Sequence, residues 1–197
     1  MKQTVASAHR RPEVIAQAAD LIVEGGLAAV TIRNIAQRLG CSTTIISHHF
    51  RNKDEVMLET YRYVNAEAAA LRDRVLSETS PTAVRALEEL LPIHPAQQRH
   101  WVAWLHFWSA ALQNPALAAE HARGLQQSVG RVFAYLLSIG MEEDKARAGA
   151  QNISNALYGI GMQAIFDLDR WDEDRQRQEF RRATAFALGQ DIADLQK

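Results

Sequence analysis

A chain of 197 residues, 47% hydrophobic and 23% charged, is long enough to bury a core and too short for more than two modest domains. No apolar run approaches the roughly 18–20 residues that span a bilayer, and no secretory apolar stretch opens the chain, so the composition reads as a globular, cytoplasmic protein with no membrane partner. A net charge of −1 excludes a strongly basic packaging protein, and a single cysteine, Cys41, excludes an internal disulfide.

Residues 1–8 are small and polar and read as a flexible lead-in. A first helix is predicted from about Arg11 or Pro12 to Glu24, with Ile15, Ala18, Ala19 and Ile22 as its buried stripe and Gly25–Gly26 as its stop. Thr31 to Lys53, TIRNIAQRLGCSTTIISHHFRNK, then reads as two short helices around a tight turn. Ile32, Ile35, Ala36 and Leu39 share one face of the first, and Gly40 supplies the turn position that needs positive φ. Ser42 or Thr43 is placed to cap the second helix with a side-chain oxygen, while Ile45, Ile46 and Phe50 are assigned to the core.

A small residue where two helices cross, a turn glycine and an apolar anchor on the second helix are the parts of a helix-turn-helix, filled here by Ala36, Gly40 and Ile46. An ordinary αα-hairpin would use the same pattern. The outward face is Thr43, Thr44, Ser47 and His48. Hydroxyl and imidazole groups at Thr43, Thr44 and His48 suit base edges, whereas Ser42, His49 and Lys53 on that helix and turn, with Arg33 before them, suit phosphates. Charge follows the same division. Residues 1–53 hold seven basic side chains (Lys2, Arg10, Arg11, Arg33, Arg38, Arg51, Lys53) against three acidic ones, a local balance of +4 in a chain that is −1 overall.

Gly40 to Glu55, GCSTTIISHHFRNKDE, resembles the recognition helix and following turn of the TetR family of bacterial transcriptional regulators, and the likeness reaches back to Arg11–Gly26 and to Thr31–Ile32. Where that family usually has a tyrosine, this chain has Ser47, which removes a generic phosphate contact. IISH, Phe50 and Lys53, with Ala103-Trp104-Leu105-His106-Phe107-Trp108 further on, are similar to the choline-responsive subgroup that represses glycine-betaine synthesis. The resemblance implies an all-α protein with an N-terminal helix-turn-helix domain, residues 1–53, and a C-terminal helical-bundle domain for ligand binding and dimerisation, residues 54–197. It also implies operator DNA, a homodimer paired through the last two helices, and choline or another quaternary ammonium as effector.

Asp54 to about Glu78 is predicted as a long helix, its acidic start suited to a helix N-terminus, and as the lever between the two parts. Ser80–Pro81, Leu91–Pro92, His94–Pro95, Asn114–Pro115 and Gly140 mark further breaks. The late helices, roughly Glu142–Asp167 and Asp172–Leu188, carry Ile153, Ala156, Leu157, Ile160 and Ile165 on one apolar face and Phe180, Ala183, Phe186 and Ala187 on the other.

Trp101, Trp104 and Trp108 fall at i, i+3 and i+7, with Phe107 beside them. Rings converging on one cavity would attract a quaternary ammonium at ~0.5–2 kcal/mol per ring, with Asn155, Tyr158 and Met162 as the opposite wall. No carboxylate stands beside the stripe in sequence; Glu88, Glu89 and Asp167 are those that folding could bring to balance a cation. Filling a bundle core explains three tryptophans almost as well.

Other classes fare worse. His94, His100, His106 and His121 lack the three- or four-residue spacing of metal ligands on one helix, and no phosphate loop, nucleophile elbow or zinc pattern occurs, so neither an enzyme nor a cofactor is indicated. A repressor of a drug-efflux or other metabolic operon would share the DNA-reading half. A helical small-molecule-binding protein would share only the bundle.

Overall fold

The computed structural model describes residues 10–78 and 83–189, and every regular element in them is helical. The lead-in 1–8 and the break at Ser80–Pro81 lie outside these residues. In chain order the helices are α1 (Arg10–Ala29), α2 (Ile32–Arg38), α3 (Thr43–His49), α4 (Lys53–Glu78), α5 (Ala83–Glu88), α6 (Pro95–Ala111), α7 (Pro115–Ser138), α8 (Glu143–Phe166) and α9 (Glu173–Leu188). Pro95 and Pro115 open their helices, where a missing N–H costs nothing. The chain forms two compact units, one running up to Glu67 and including Val102–His121, the other made of Ala68–Trp101 and the residues from Ala122 on.

The first unit is built on α1. Val14, Ala18, Leu21 and Ile22 are buried against Ile35 and Ala36 of α2, Ile46 of α3, and Val56, Met57, Tyr61 and Val64 of α4. Ala103 and Phe107 of α6 complete this core, Phe107 stacked on Tyr61 with ring centroids 4.5 Å apart. The helix in α1 is interrupted at Gly25 and Gly26, as expected; Gly26 has φ 69° and a short helical stretch continues to Ala29. Local signals set the turns. Thr31 Oγ1 accepts from Asn34 N at 3.0 Å, and Gly40 takes φ 58° after α2. Ser42 precedes α3 but makes no side-chain cap, contrary to the sequence expectation. The α4 start is held by Asn52 Oδ1, which accepts from Glu55 N, and by Glu55 Oε2, which accepts from Arg51 N.

The second unit centres on the antiparallel pair α8 and α9, joined by a turn in which Asp172 caps α9 through Arg175 N at 2.8 Å. Ile153, Leu157 and Ile160 of α8 and Phe180 and Ala185 of α9 share a core with Val84, Leu87, Leu91, Val132 and Leu136. Phe186, read from sequence as part of the apolar face of α9, is 89% exposed. Six residues from Phe180 amount to about 240° of helical rotation, which turns the ring off the packed face. Beside the apolar core lies a buried ionic cluster. The Glu88 carboxylate, fully buried, accepts from Arg177 Nη1 at 2.8 Å and from Arg181 Nε at 2.6 Å, and Arg177 also reaches Glu89 and Glu173.

Candidate DNA-reading surface and effector site

Recognition begins with how α3 is held. Arg11 of α1 donates from Nε and Nη2 to Glu59, from Nη2 to Glu55 at 2.9 Å, and from Nη1 to the His49 carbonyl at the end of α3. Its guanidinium lies 4.4 Å from the Phe50 ring centroid. One planar fork therefore satisfies a terminal carbonyl of the recognition helix and locks it to α1 and α4. The bonds to Arg51 N and Arg11 hold the Glu55 carboxyl below its ordinary range, and those to Glu59 and Glu55 raise Arg11.

Ser42, Thr43, Thr44, Ser47 and His48 are all exposed, and Ser47 Oγ donates back to the Thr43 carbonyl at 3.1 Å. His49 is half-buried. Lys53 Nζ donates to the Leu27 carbonyl at 3.2 Å, so its ammonium is tethered at the protein surface. Arg33 is exposed and has no ion pair among the described residues. Ile45 departs from expectation: it is 37% exposed while its neighbour Ile46 is fully buried. Adjacent residues point about 100° apart on a helix, so only one can enter the core. Part of the local positive charge is also spent internally, because Arg38 pairs with Glu24 as Arg11 pairs with Glu55 and Glu59.

The aromatic stripe divides between the two units. In the first, Trp104 and Trp108 stack at 6.3 Å, Trp104 Nε1 donates to Asn65 Oδ1 at 2.9 Å, and Trp108 lies 5.3 Å from the His121 ring, whose Nδ1 bonds Tyr61 Oη at 2.8 Å. Burial lowers the His121 pKa. In the second, Trp101 is completely buried, donates from Nε1 to the Leu90 carbonyl at 2.7 Å and meets Tyr158 edge-on at 6.1 Å. Burial raises the Tyr158 hydroxyl, against a hydrogen bond with Ser128 and the charge of Arg131. Gly161 makes this approach possible: a Cβ there would stand 2.1 Å from Trp101 Cζ2. Asn155 and Met162 are exposed on α8, Asn155 Oδ1 accepting from Gln151, and are not brought to Trp101.

Two polar residues not singled out from the sequence lie one helical turn from the Trp101 and Tyr158 rings, one on each helix. Gln97, one turn earlier on α6, is 4% exposed, and its Oε1 has no hydrogen-bond partner. Ser154, one turn before Tyr158 on α8, is 2% exposed with an equally unpartnered hydroxyl. Of the carboxylates suggested as counter-ions, Glu88 is taken by α9 arginines and Asp167 by Arg170 N, while Glu89 meets Arg177 and accepts from Gln97 Nε2 at 3.1 Å.

Residues 14–60 match the family model for bacterial regulatory proteins of the tetR family, and residues 81–189, more than half the chain, match that for the C-terminal domain of BetI-type transcriptional repressors. The chain belongs to the BetI-type branch of the TetR family. It is a DNA-binding transcriptional repressor of that type. The HTH-type transcriptional regulator BetI of Ectopseudomonas mendocina is 29% identical over 181 residues, 85% of this chain and 88% of its own. A transcriptional regulator from Rhodococcus sp. Rha1 shares the fold with a TM-score of 0.80 at 24% identity, over 91% of this chain and 96% of that one. A regulator from Saccharomonospora viridis, solved in complex with choline, shares it at 0.77 and 23% identity, over 89% and 95%. No helix among the described residues is long and apolar enough to cross a membrane.

Proposed function

We propose that this BetI-type repressor is a cytoplasmic homodimer that reads a two-fold operator through α3 and releases it on binding a quaternary ammonium compound, choline being the first candidate, so controlling glycine-betaine synthesis. Thr43, Thr44 and His48 take the base edges, joined by Ile45, whose exposed methyl groups suit a thymine methyl. Arg33, Ser42, His49 and Lys53 take phosphates, with Ser47 on the same outward face. Residues 1–53 serve as the DNA-reading part and 54–197 as the sensing and pairing part, with no enzymatic step. Phe166 and Phe186, 78% and 89% exposed near the ends of α8 and α9, are the anchors for pairing two copies.

The observation that carries the effector reading is Trp101 and Tyr158 meeting inside one unit, with a buried, unpartnered polar atom one turn from each ring on its own helix. An aromatic wall with unused hydrogen-bonding capacity suits a small organic cation bearing a polar end. Trp104, Phe107 and Trp108 are engaged in stacking within the other unit, and we assign them to packing there. The test is operator binding by fluorescence anisotropy at fixed salt, using promoter DNA beside this protein's own gene and titrating choline. Sequence-specific binding that weakens with choline in the wild type, and not in a Trp101→Leu variant of unchanged DNA affinity, supports the reading. Specific binding indifferent to choline discards the effector.

A further inference from the structure

Arg11 is one of the basic side chains that make residues 1–53 positive, yet its charge is already neutralised by its neighbours. Four hydrogen bonds leave a guanidinium that has five N–H donors: Nε and Nη2 to Glu59, Nη2 to Glu55 at 2.9 Å, and Nη1 to the His49 carbonyl. Arg51 Nε stands 3.4 Å from Glu55, so the cluster sets two arginines against two carboxylates and offers DNA no net charge. What the bonds do instead is mechanical. α3 is seven residues long, about 10 Å, and Ile46 at its middle is the buried residue on it. A tilt of about 10° around that one anchor carries either end of α3 about 1 Å, while a constellation of contacting groups must be held within about 0.5 Å. The second fixed point is the C-terminal end. There Phe50 is buried, and the Arg11 guanidinium lies 4.4 Å from its ring centroid.

We propose that Arg11 is a positioning residue for operator reading: it does not touch DNA, and by clamping the His49 carbonyl to Glu55 and Glu59 of α4 it sets the angle at which Thr43, Thr44 and His48 meet base edges. This rests on α3 being the reading helix. Lysine does not substitute, because a compact ammonium cannot span a carbonyl and two carboxylates as the planar fork does.

The test is operator preference, the ratio of affinities for a duplex selected by wild type from random sequence and for its scrambled version. It is read by fluorescence anisotropy at a temperature where circular dichroism shows each full-length variant folded. Arg11→Lys keeps the charge and loses the fork. It is expected to cut the preference about tenfold or more, the scale of one base contact, with scrambled-duplex affinity and salt slope unchanged. Glu59→Met separates the two physical effects by sign. It removes a negative charge, so attraction alone predicts tighter operator binding, whereas loss of the clamp predicts weaker binding. Hydrogen exchange is expected to quicken at amides 46–49 of α3 in both variants and to stay as in wild type at amides 14–22 of α1. Full operator preference in Arg11→Lys, or tighter operator binding in Glu59→Met, overturns the inference. Faster exchange throughout α1 overturns it too, making Arg11 a general stabiliser. Selection that yields no preferred duplex, or a triple variant Thr43→Ala, Thr44→Ala, His48→Ala that keeps the preference, removes α3 as the reading helix and this inference with it.

Discussion

Gly161→Ala is a perturbation on which two physical effects disagree in sign. Glycine in the middle of a helix costs about 1 kcal/mol relative to alanine, so helix propensity alone predicts that the substitution stabilises. Packing predicts the reverse. The added Cβ would stand 2.1, 2.3 and 2.6 Å from Cζ2, Cη2 and Cε2 of Trp101, where ordinary contacts begin at 3.4 Å. Trp101 cannot step aside freely, because it is fully buried and its indole N–H is bonded to the Leu90 carbonyl at 2.7 Å. Overpacking of this kind costs ~1–3 kcal/mol, and a strained or lost N–H bond adds about 1 kcal/mol. After the propensity gain the net is a destabilisation of about 1–3 kcal/mol, or roughly 2–12 °C in Tm for a chain of this size. Gly130→Ala in α7 is the control, since nothing lies within 4 Å of a Cβ there; it is expected to stabilise by up to about 1 kcal/mol. Thermal unfolding followed by circular dichroism and tryptophan fluorescence reads both variants. If Gly161→Ala raises Tm as Gly130→Ala does, with choline affinity intact, the close α6–α8 approach at Trp101 is not what shapes this unit.

Phe186→Glu is expected to convert the dimer to monomer in light scattering and to weaken operator binding by the loss of paired half-sites, since each buried phenyl ring contributes ~1.5–3 kcal/mol and a two-fold interface counts it twice; an unchanged dimer refutes that assignment. Thr44→Ala is expected to weaken the specific operator and relax preference at one base pair by about 1–3 kcal/mol, whereas Arg33→Ala weakens every sequence alike and reduces the salt slope by about 1. A uniform effect from Thr44→Ala would move that residue to the backbone. Burial depresses the pKa of His121, so the unfolded chain takes up the proton first, and its contribution to stability is complete above about pH 6.5 and lost as pH falls towards the folded value. Urea unfolding at pH 7.5 and 5.5 should show this loss in wild type and less of it in His121→Gln; equal slopes would place the acid sensitivity elsewhere.

The helix-turn-helix was legible because its signals are local. The helix start at Thr31–Ile32, Gly40 at φ 58° and the stripe of Ile35 and Ala36 act within a few residues of sequence, and each is where the pattern placed it; the cap that Thr31 supplies was not singled out. Ile45 was misplaced because hydrophobicity marks a residue as able to enter a core without fixing which of two neighbouring directions the helix offers it. Arg11 was invisible in its real role because its partners, His49, Glu55 and Glu59, lie 38 to 48 positions away.

The tryptophan stripe shows the limit most clearly. Trp101 and Trp108 share a helical face, yet seven residues advance about 10 Å along the axis, enough for one helix to serve two different cores. Periodicity reports angle and not depth, so it could not separate the buried ring that meets Tyr158 from the pair that stacks beside His121. Gln97 and Ser154 failed the opposite way. A polar side chain in a helix is ordinarily solvated, so composition gave no reason to select them, and only the packing of α6 and α8 removes their atoms from water. Gln176 Oε1 and Thr184 Oγ1 of α9 are buried without a partner as well; the atoms on α6 and α8 differ in lying one turn from the two rings that meet, where a bound molecule can remove the cost. That is why the polar residues beside Trp101, more than the count of tryptophans, carry the reading of what this repressor senses.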